Sequence, residues 1–452
     1  MKTNCLYYRF ICLFFLVSLL ACNKKDAPVP DIAPVSKESA LKALTQLSGG
    51  DAAVPLSWYQ LELKLIKEST GFSPPVAARA IAYTGITLHE VVVVGKRGPA
   101  LSGQLNGLQY VPTPERWKKY NWAIAANSAM AQIIRNLFPN ASVENLNLIT
   151  QLENDNLQAL SDSCTQDVTT RSINYGKLVA SAIYQWSTTD GGKDGYLNNF
   201  PTDYIPPVGP GLWIPTPPAF QRAMLPYWGN NRPMVKPSTP DLADIQPPAY
   251  STDTTSTFYQ AAHFVYQTRK TLTPEQTLIA KYWADGGGTF TPPGHLLAIT
   301  AQLVNDQQLD LEAAATLFAQ VGIGLNDAGI LCWKYKYQYN LLRPITYIRA
   351  NIDSSWAPLI GTPPFPSYTS GHATFTGATG YILAAYFGNS FSFTDNQKVP
   401  EGFVPRSFNN FLDMINEAAI SRVYGGIHYQ FDSETGKQTG KDIAGRVLAL
   451  KY

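Results

Sequence analysis

Apolar residues recur at three- and four-residue spacing through most of the chain and strict alternation is scarce, so the pattern predicts an all-α protein. In the first half the helical period is clearest over PLSWYQLELKLIKES (residues 55–69), PPVAARAIAYTGITLHEVVVV (74–94) and RWKKYNWAIAANSAMAQIIRNLF (116–138). It fades over residues 190–250, where Gly, Pro and aromatic residues crowd together. That segment reads as a long ordered loop packed over helices, because Trp213, Phe220 and Trp228 would be costly to leave in water. Helical spacing resumes at Ser256 and continues to the end. The predicted architecture is two helical bundles, an N-terminal one with its loop over residues 37–250 and a C-terminal one over 251–452, with no repeat of the solenoid type.

The first 21 residues depart from this pattern, with a basic start (Lys2, Arg9), a short apolar run and then Leu19-Leu20-Ala21-Cys22. This resembles a bacterial lipoprotein signal cleaved before Cys22; a membrane-spanning helix would need a longer apolar run. Residues 22–36, polar and bearing prolines, then read as a tether. The expectation is a protein of the bacterial cell envelope, at the periplasmic or outer-membrane surface, touching membrane only through lipid on Cys22. Removing Lys2 and Arg9 from the 35 basic groups leaves 33 against 33 acidic ones, a neutral chain with no electrostatic grip on nucleic acid. With 45% hydrophobic, 12% aromatic and 15% charged residues, the composition suits a large folded enzyme better than a charged scaffold. Cys5 and Cys12 leave with the signal, so Cys164 and Cys332 remain, open to one disulfide but too few for a cysteine-based metal site.

Candidate chemistry sits in three stretches of the second half. In DAGILCWKYKYQYNLLRPITY (327–347), Lys336 and Arg343 are seven residues apart, two turns of one helix face, with Pro344 closing the helix and Trp333 on the same face. The competing reading is a snorkelling surface face. In PPFPSYTSGHATFTGATGYILAAYF (363–387), Ser370 is a good helix N-cap, Gly371 allows close backbone approach, and the first-turn amides form an anion site. His372 beside such an anion can act as acid or base; it can equally be incidental to a capped helix. In AAISRVYGGIHYQFD (418–432), Arg422 adds a third cation and Gly425-Gly426 break the helix before His428. Asp432 either holds the other ring nitrogen of His428 or caps a helix or pairs with a surface lysine.

Together these elements, Lys-x6-Arg-Pro, Ser-Gly-His and Ser-Arg-x5-His-x3-Asp, resemble the signature shared by vanadium-dependent haloperoxidases and the type 2 phosphatidic-acid-phosphatase-like acid phosphatases. Thr369 stands where many members have proline. The runs YWADGGGTFTPPGH (282–295) and SPPVAARAIAYTGITLHE (73–90), and Trp333 three residues before Lys336, look like the haloperoxidase branch. The resemblance implies vanadate as cofactor, its oxygens held by Lys336, Arg343, Ser370, the Gly371 amide and Arg422. It makes His428 the single protein ligand to the metal, His372 the residue at the apical oxygen, and Asp285 a supporting partner of Arg422, with Asp432 behind His428. Lys336, His372 and His428 would carry catalysis, and three cations would offset the charge of the oxyanion.

The implied substrates are hydrogen peroxide and a halide, iodide first, with a small organic acceptor allowed. Iodide is favoured because the bacterial form resembles an iodoperoxidase branch and because Trp333 and Phe365 would give the halide pocket an apolar wall. Phe365 occupies a position where algal bromoperoxidases of similar sequence carry a histidine and fungal chloroperoxidases an aromatic residue. A bromoperoxidase, an acid phosphatase of the same superfamily, and, more remotely, a ligand-binding surface lipoprotein stand as alternatives. Of the other histidines, His89 reads as a core residue satisfied by one hydrogen bond, His295 as lining the site entrance, and His263 has no context.

Overall fold

A computed structural model describes residues 52–162, 164–236 and 246–452. The signal, the tether and the expected start of structure near Lys37 lie outside the described residues. Those described fold as one compact unit. Its helices are α1 (Ala53–Glu68), α2 (Pro74–Val92), α3 (Trp122–Leu137), α4 (Val143–Ser161), α5 (Gln166–Ser187), α6 (Thr257–Lys270) and α7 (Pro274–Tyr282). They continue as α8 (Thr291–Asp306), α9 (Leu311–Tyr339), α10 (Pro344–Asn351), α11 (Gly371–Phe387), α12 (Phe411–Tyr424) and α13 (Gln430–Leu448). The fold is thus all-α apart from one short antiparallel pair, β1 (Phe393–Asp395) with β2 (Arg406–Phe408).

The first two helices follow the apolar spacing closely, but α3 begins six residues later than the spacing suggests. Asn121 accepts a hydrogen bond from the Ile124 amide and so sets the start, while Trp117 stays 88% exposed, outside the core. Cap chemistry overrides periodicity here. In the long loop Trp213 and Trp228 are buried, whereas Phe220 is 63% exposed; a positive φ of 47° at Phe220 accompanies its turn away from the core.

α9 is apolar around its circumference and buried along most of its 29 residues, which makes it the central helix of the unit. It lies against α2 at backbone contact, because a Cβ at Gly85 would stand 2.7 Å from the Phe318 carbonyl oxygen and one at Gly322 would stand 2.9 Å from Ala82 Cα. Through this crossing one buried cluster runs from Trp58 and Ile81 of the first half to Leu325 and Ile382 of the second. α11 packs as tightly on α13, where a Cβ at Gly440 would meet the Thr374 carbonyl oxygen at 2.5 Å. That second close approach brings the N-terminus of α11 beside that of α13, and Ser370 N–H donates to the Asp432 carbonyl at 3.1 Å. Cys332 lies buried against Thr369 and Cys164 accepts from Asn121 Nδ2, so no disulfide joins the two.

Candidate active site

Lys336, Arg343, Ser370, Gly371, His372, Arg422 and His428 come from three helix ends and two connections; Gly371, His372, Arg422 and His428 line one cavity, with Arg343 bonded to His428 and Lys336 to the Thr369 carbonyl before Ser370. Lys336 and Arg343 do not get there along one helix face. α9 stops at Tyr339, Asn340 adopts a left-handed conformation (φ 45°), and Pro344 opens α10 with Arg343 as its N-cap residue. The intervening strand-like stretch is pinned by Trp213 N–H donating to the Asn340 carbonyl at 2.6 Å. Pro344 therefore starts a helix rather than ending one.

Lys336 is fully buried, which removes the snorkelling reading. Its ammonium donates to the carbonyls of Pro366 (3.0 Å), Ser367 (3.1 Å) and Thr369 (2.5 Å), so it clamps the turn that leads into Ser370. Burial lowers its pKa, and neighbouring Arg343 adds to the shift. Arg343, also fully buried, donates from Nε to the Phe365 carbonyl (2.8 Å) and from Nη1 to the Ile427 carbonyl (2.8 Å) and to His428 Nε2 (3.1 Å). Arg422 donates from Nη1 to the Trp283 carbonyl at 2.7 Å. Burial weakens the proton affinity of both guanidinium groups, yet arginine keeps its charge at this depth.

The protonation of His428 follows from its neighbours. Asp432 Oδ2 accepts from the Tyr429 amide (3.2 Å) and from the Ser367 hydroxyl, and it lies 2.8 Å from His428 Nδ1. Arginine has only donors, so the partner of Arg343 Nη1, His428 Nε2, is the acceptor. The ring is the neutral tautomer with hydrogen on Nδ1 and a lone pair on Nε2. Burial drives its pKa well down, and Arg343, Lys336 and Arg422 drive it further, so this form persists at neutral pH.

His372 sits in the first turn of α11, one residue past Gly371, where Ser370 caps the helix by accepting from the Ala373 amide. Its Nε2 is 4.0 Å from Asp285 Oδ2. Burial and Arg422 lower its pKa, with Asp285 opposing. Asp285 is not tied to Arg422 by a direct contact; its carboxylate takes Lys398 Nζ at 2.7 Å and His295 Nδ1 at 3.0 Å, and it reaches Arg422 only through space. His295 does not line the entrance. It is fully buried, bridging Asp285 and Asp395 (Nε2 to Oδ2, 2.9 Å) while stacking on Trp283. His89 is equally buried, but neither ring nitrogen has a partner, and burial keeps it neutral.

Lys398, Asp395 and Ser367 escape sequence reasoning. Asp395 ends β1 and Lys398 follows it, far along the chain from Asp285, and no local spacing announces the contact. Ser367 did carry a signal, since it stands three residues before Ser370 in the same turn.

The lining of a cavity of about 640 Å³ includes Asp285, Gly371, His372, Arg422 and His428. Trp333 and Phe365, ring centroids 5.0 Å apart, form an apolar wall beside them, with the Lys336 ammonium 4.8 Å from the Phe365 ring. Arg343 Nη2, Arg422 Nε and His372 Nε2 are buried without a hydrogen-bond partner in the protein. Among the described residues no cluster of three or more His, Cys, Asp or Glu could hold a metal cation. A donor-rich, cation-rich pocket with one lone pair on His428 fits an oxyanion of a metal, not a bare cation.

A solved bacterial vanadium-dependent iodoperoxidase is 32% identical to this chain, with 89% of this chain and 96% of that one aligned at a TM-score of 0.79. The chain belongs to the vanadium-dependent haloperoxidases. A family model described as the VCPO second helical-bundle domain matches residues 316–451 of this haloperoxidase, which span α11 to α13 and most of α9. Vanadium chloroperoxidase from Curvularia inaequalis is 27% identical over 237 residues, 38% of this haloperoxidase and 39% of that protein, so the match spans well under half of the curated relative. A holo-type bacterial vanadium-dependent chloroperoxidase shares the fold, with a TM-score of 0.65 at 14% identity over 90% of this chain and 96% of that one.

Proposed function

We propose that the protein is a vanadate-dependent iodide peroxidase. The observation that carries this reading is the neutral His428 ring, its Nε2 lone pair facing buried Arg343 beside the unpartnered nitrogens of Arg422 and His372. Vanadate would be ligated by His428 and held through its oxygens by Arg343, Arg422, Ser370 and the Gly371 amide; when bound it supplies a Lewis acid that activates hydrogen peroxide without changing its own oxidation state. His372, neutral and close to Asp285, would accept a proton from incoming peroxide and return it to the leaving oxygen. Lys336 keeps the 366–369 turn in place and lends positive charge to the site. Iodide is favoured by the apolar Trp333–Phe365 wall, which suits a large, weakly hydrated anion, and by the likeness to the bacterial iodoperoxidase.

Reconstitution tests this directly. The purified protein is expected to be inactive until orthovanadate is added, to retain about one vanadium per chain, and to oxidise iodide far faster than bromide or chloride at matched peroxide. Excess phosphate should slow the recovery, because both anions would use the same cations. Bromide turnover equal to that of iodide would make it a bromoperoxidase, and phosphate-ester hydrolysis without halide oxidation would make it a phosphatase.

The N-terminal pattern supports a lipid anchor on Cys22, since two acyl chains suffice for stable attachment. Cys22→Ser should move the protein from the membrane fraction to the soluble fraction on cell fractionation; an unmodified, soluble wild-type chain with its first 21 residues intact would refute the anchor.

A further inference from the structure

The cavity is larger than the proposed reactants require. Of its roughly 640 Å³, a halide and a peroxide molecule take some tens, a water's share of the liquid being about 30 Å³. The remainder falls in the range of about 300–1,000 Å³ typical of small organic ligands.

The rest of the cavity lining has its own chemistry. It includes Ile66, Phe72, Phe200, Met224, Ile360 and Pro363, all apolar. Among its neutral polar side chains, Ser69, Ser73, Asn199 and Thr291 are each no more than 8% exposed. The three hydroxyls and Asn199 Oδ1 have no hydrogen-bond partner in the protein, although buried polar groups are nearly always paired. Ser73 is conspicuous because it occupies the N-cap position of α2 without capping it, so its hydroxyl is not committed to the helix. Apart from Asp285 and Arg422, the Lys, Arg, Asp or Glu residue in the lining is Lys67, which is exposed. Aromatic and aliphatic walls with neutral hydrogen-bonding groups match an uncharged ring bearing a hydroxyl, whereas a carboxylate or phosphate would find its partners only among the cations.

We propose that this part of the cavity lining forms a binding subsite for a neutral phenol-class aromatic, which is iodinated while held there. This rests on the iodide-peroxidase reading. Arene, iodide, hydrogen peroxide and one proton give iodoarene and two waters. The O–O bond breaks and takes two electrons from iodide, the electrophilic iodine replaces a ring hydrogen, and the displaced proton ends in water. An electron-rich ring is what such an electrophile attacks, and the phenolic hydroxyl both enriches the ring and meets the unpartnered oxygens.

The test uses the full-length, vanadate-loaded protein and p-cresol as probe. Calorimetry without peroxide should give one saturable site, and iodination should saturate in p-cresol. Ser73→Phe, which fills the cavity without removing a cap, should raise the KM for p-cresol at least tenfold while triiodide formation from iodide alone persists. Ser69→Ala combined with Ser73→Ala should weaken binding about fivefold, the scale of one net hydrogen bond, and 4-methylanisole, which lacks the hydroxyl donor, should bind more weakly than p-cresol. Triiodide formation with no saturable p-cresol binding, or a Ser73→Phe protein that binds p-cresol like the wild type, overturns the subsite alone and leaves iodination to released hypoiodous acid. Saturable p-cresol binding in a protein that loads vanadate but oxidises no iodide overturns the iodination step together with the peroxidase reading.

Discussion

His428→Ala is expected to abolish vanadate retention, weakening it by far more than 100-fold, because it removes the ring nitrogen that would ligate the metal. Tautomer rather than proximity makes His428 the ligand. Asp432 Oδ2 accepts, so it holds hydrogen on Nδ1 and keeps the lone pair on Nε2, where Arg343 Nη1 now donates and a metal would take its place. Asp432→Asn should therefore have an intermediate effect: the amide oxygen still accepts from Nδ1, but the lost negative charge makes the ring less basic, for a weakening of about 10–100-fold. His372→Ala should separate the two functions, keeping measurable vanadate binding while losing turnover, since its Nε2 has no partner in the protein and is not the lone pair that Asp432 fixes. Equilibrium dialysis against orthovanadate, with circular dichroism to establish folding, ranks the three variants. Vanadate binding by His428→Ala that equals the wild type would assign the ligand wrongly.

The second large effect concerns stability. Asp285→Ala should destabilise the protein by about 3 kcal/mol, because it removes the buried counter-ion that Lys398 and His295 share and leaves Lys398 with only Glu401 and His295 with only Asp395. Burial alone would raise the pKa of Asp285, but His295 and Lys398 outweigh it and hold the carboxyl well below the usual carboxylate range. Burial alone would lower the pKa of His295; Asp285 and Asp395 reverse that and lift it from 6.5 to about 9.

These opposite shifts bound a pH window. The depressed Asp285 contributes stability that is fully present above the unfolded carboxylate pKa near 4 and is lost as pH falls through its folded value. The raised His295 contributes stability that is fully present below pH 6.5 and is lost as pH rises through about 9, on the order of 3 kcal/mol for a group wholly out of water. Thermal unfolding should therefore be most resistant between about pH 4.5 and 6.5 as far as this network is concerned, with a decline from pH 6.5 to 9. His295→Gln should be less stable at pH 6 and should lose that alkaline decline. A decline of the same size in the variant would mean that other groups produce it.

Much of the helical framework is legible in the sequence because helix formation is a local matter of period and caps. The apolar spacing of α1 and α2, the cap at Ser370, the break at Gly425-Gly426 and the restart after Ser256 are all decided by residues within a turn of one another. Lys336 and Arg343 show where local reading stops. A spacing of seven suggested a shared face, but Asn340 tolerates a left-handed backbone and Pro344 is as well suited to open a helix as to close one, so the stretch between them is extended.

The chain by itself determined the chemical cast: three cations, two histidines and an aspartate at spacings that put each near a helix end, where charge and exposed amides concentrate. Only the tertiary structure decided how those groups are paired. Which nitrogen of His428 keeps its lone pair depends on Asp432 and Arg343 meeting the same ring from different elements. That Asp285 answers to Lys398 and His295, not directly to Arg422, depends on a loop more than a hundred residues away folding back beside α8. Helix periods and caps are encoded over a few residues, whereas the protonation of a buried ring is set by whichever distant donors and acceptors packing brings within about 3 Å of it.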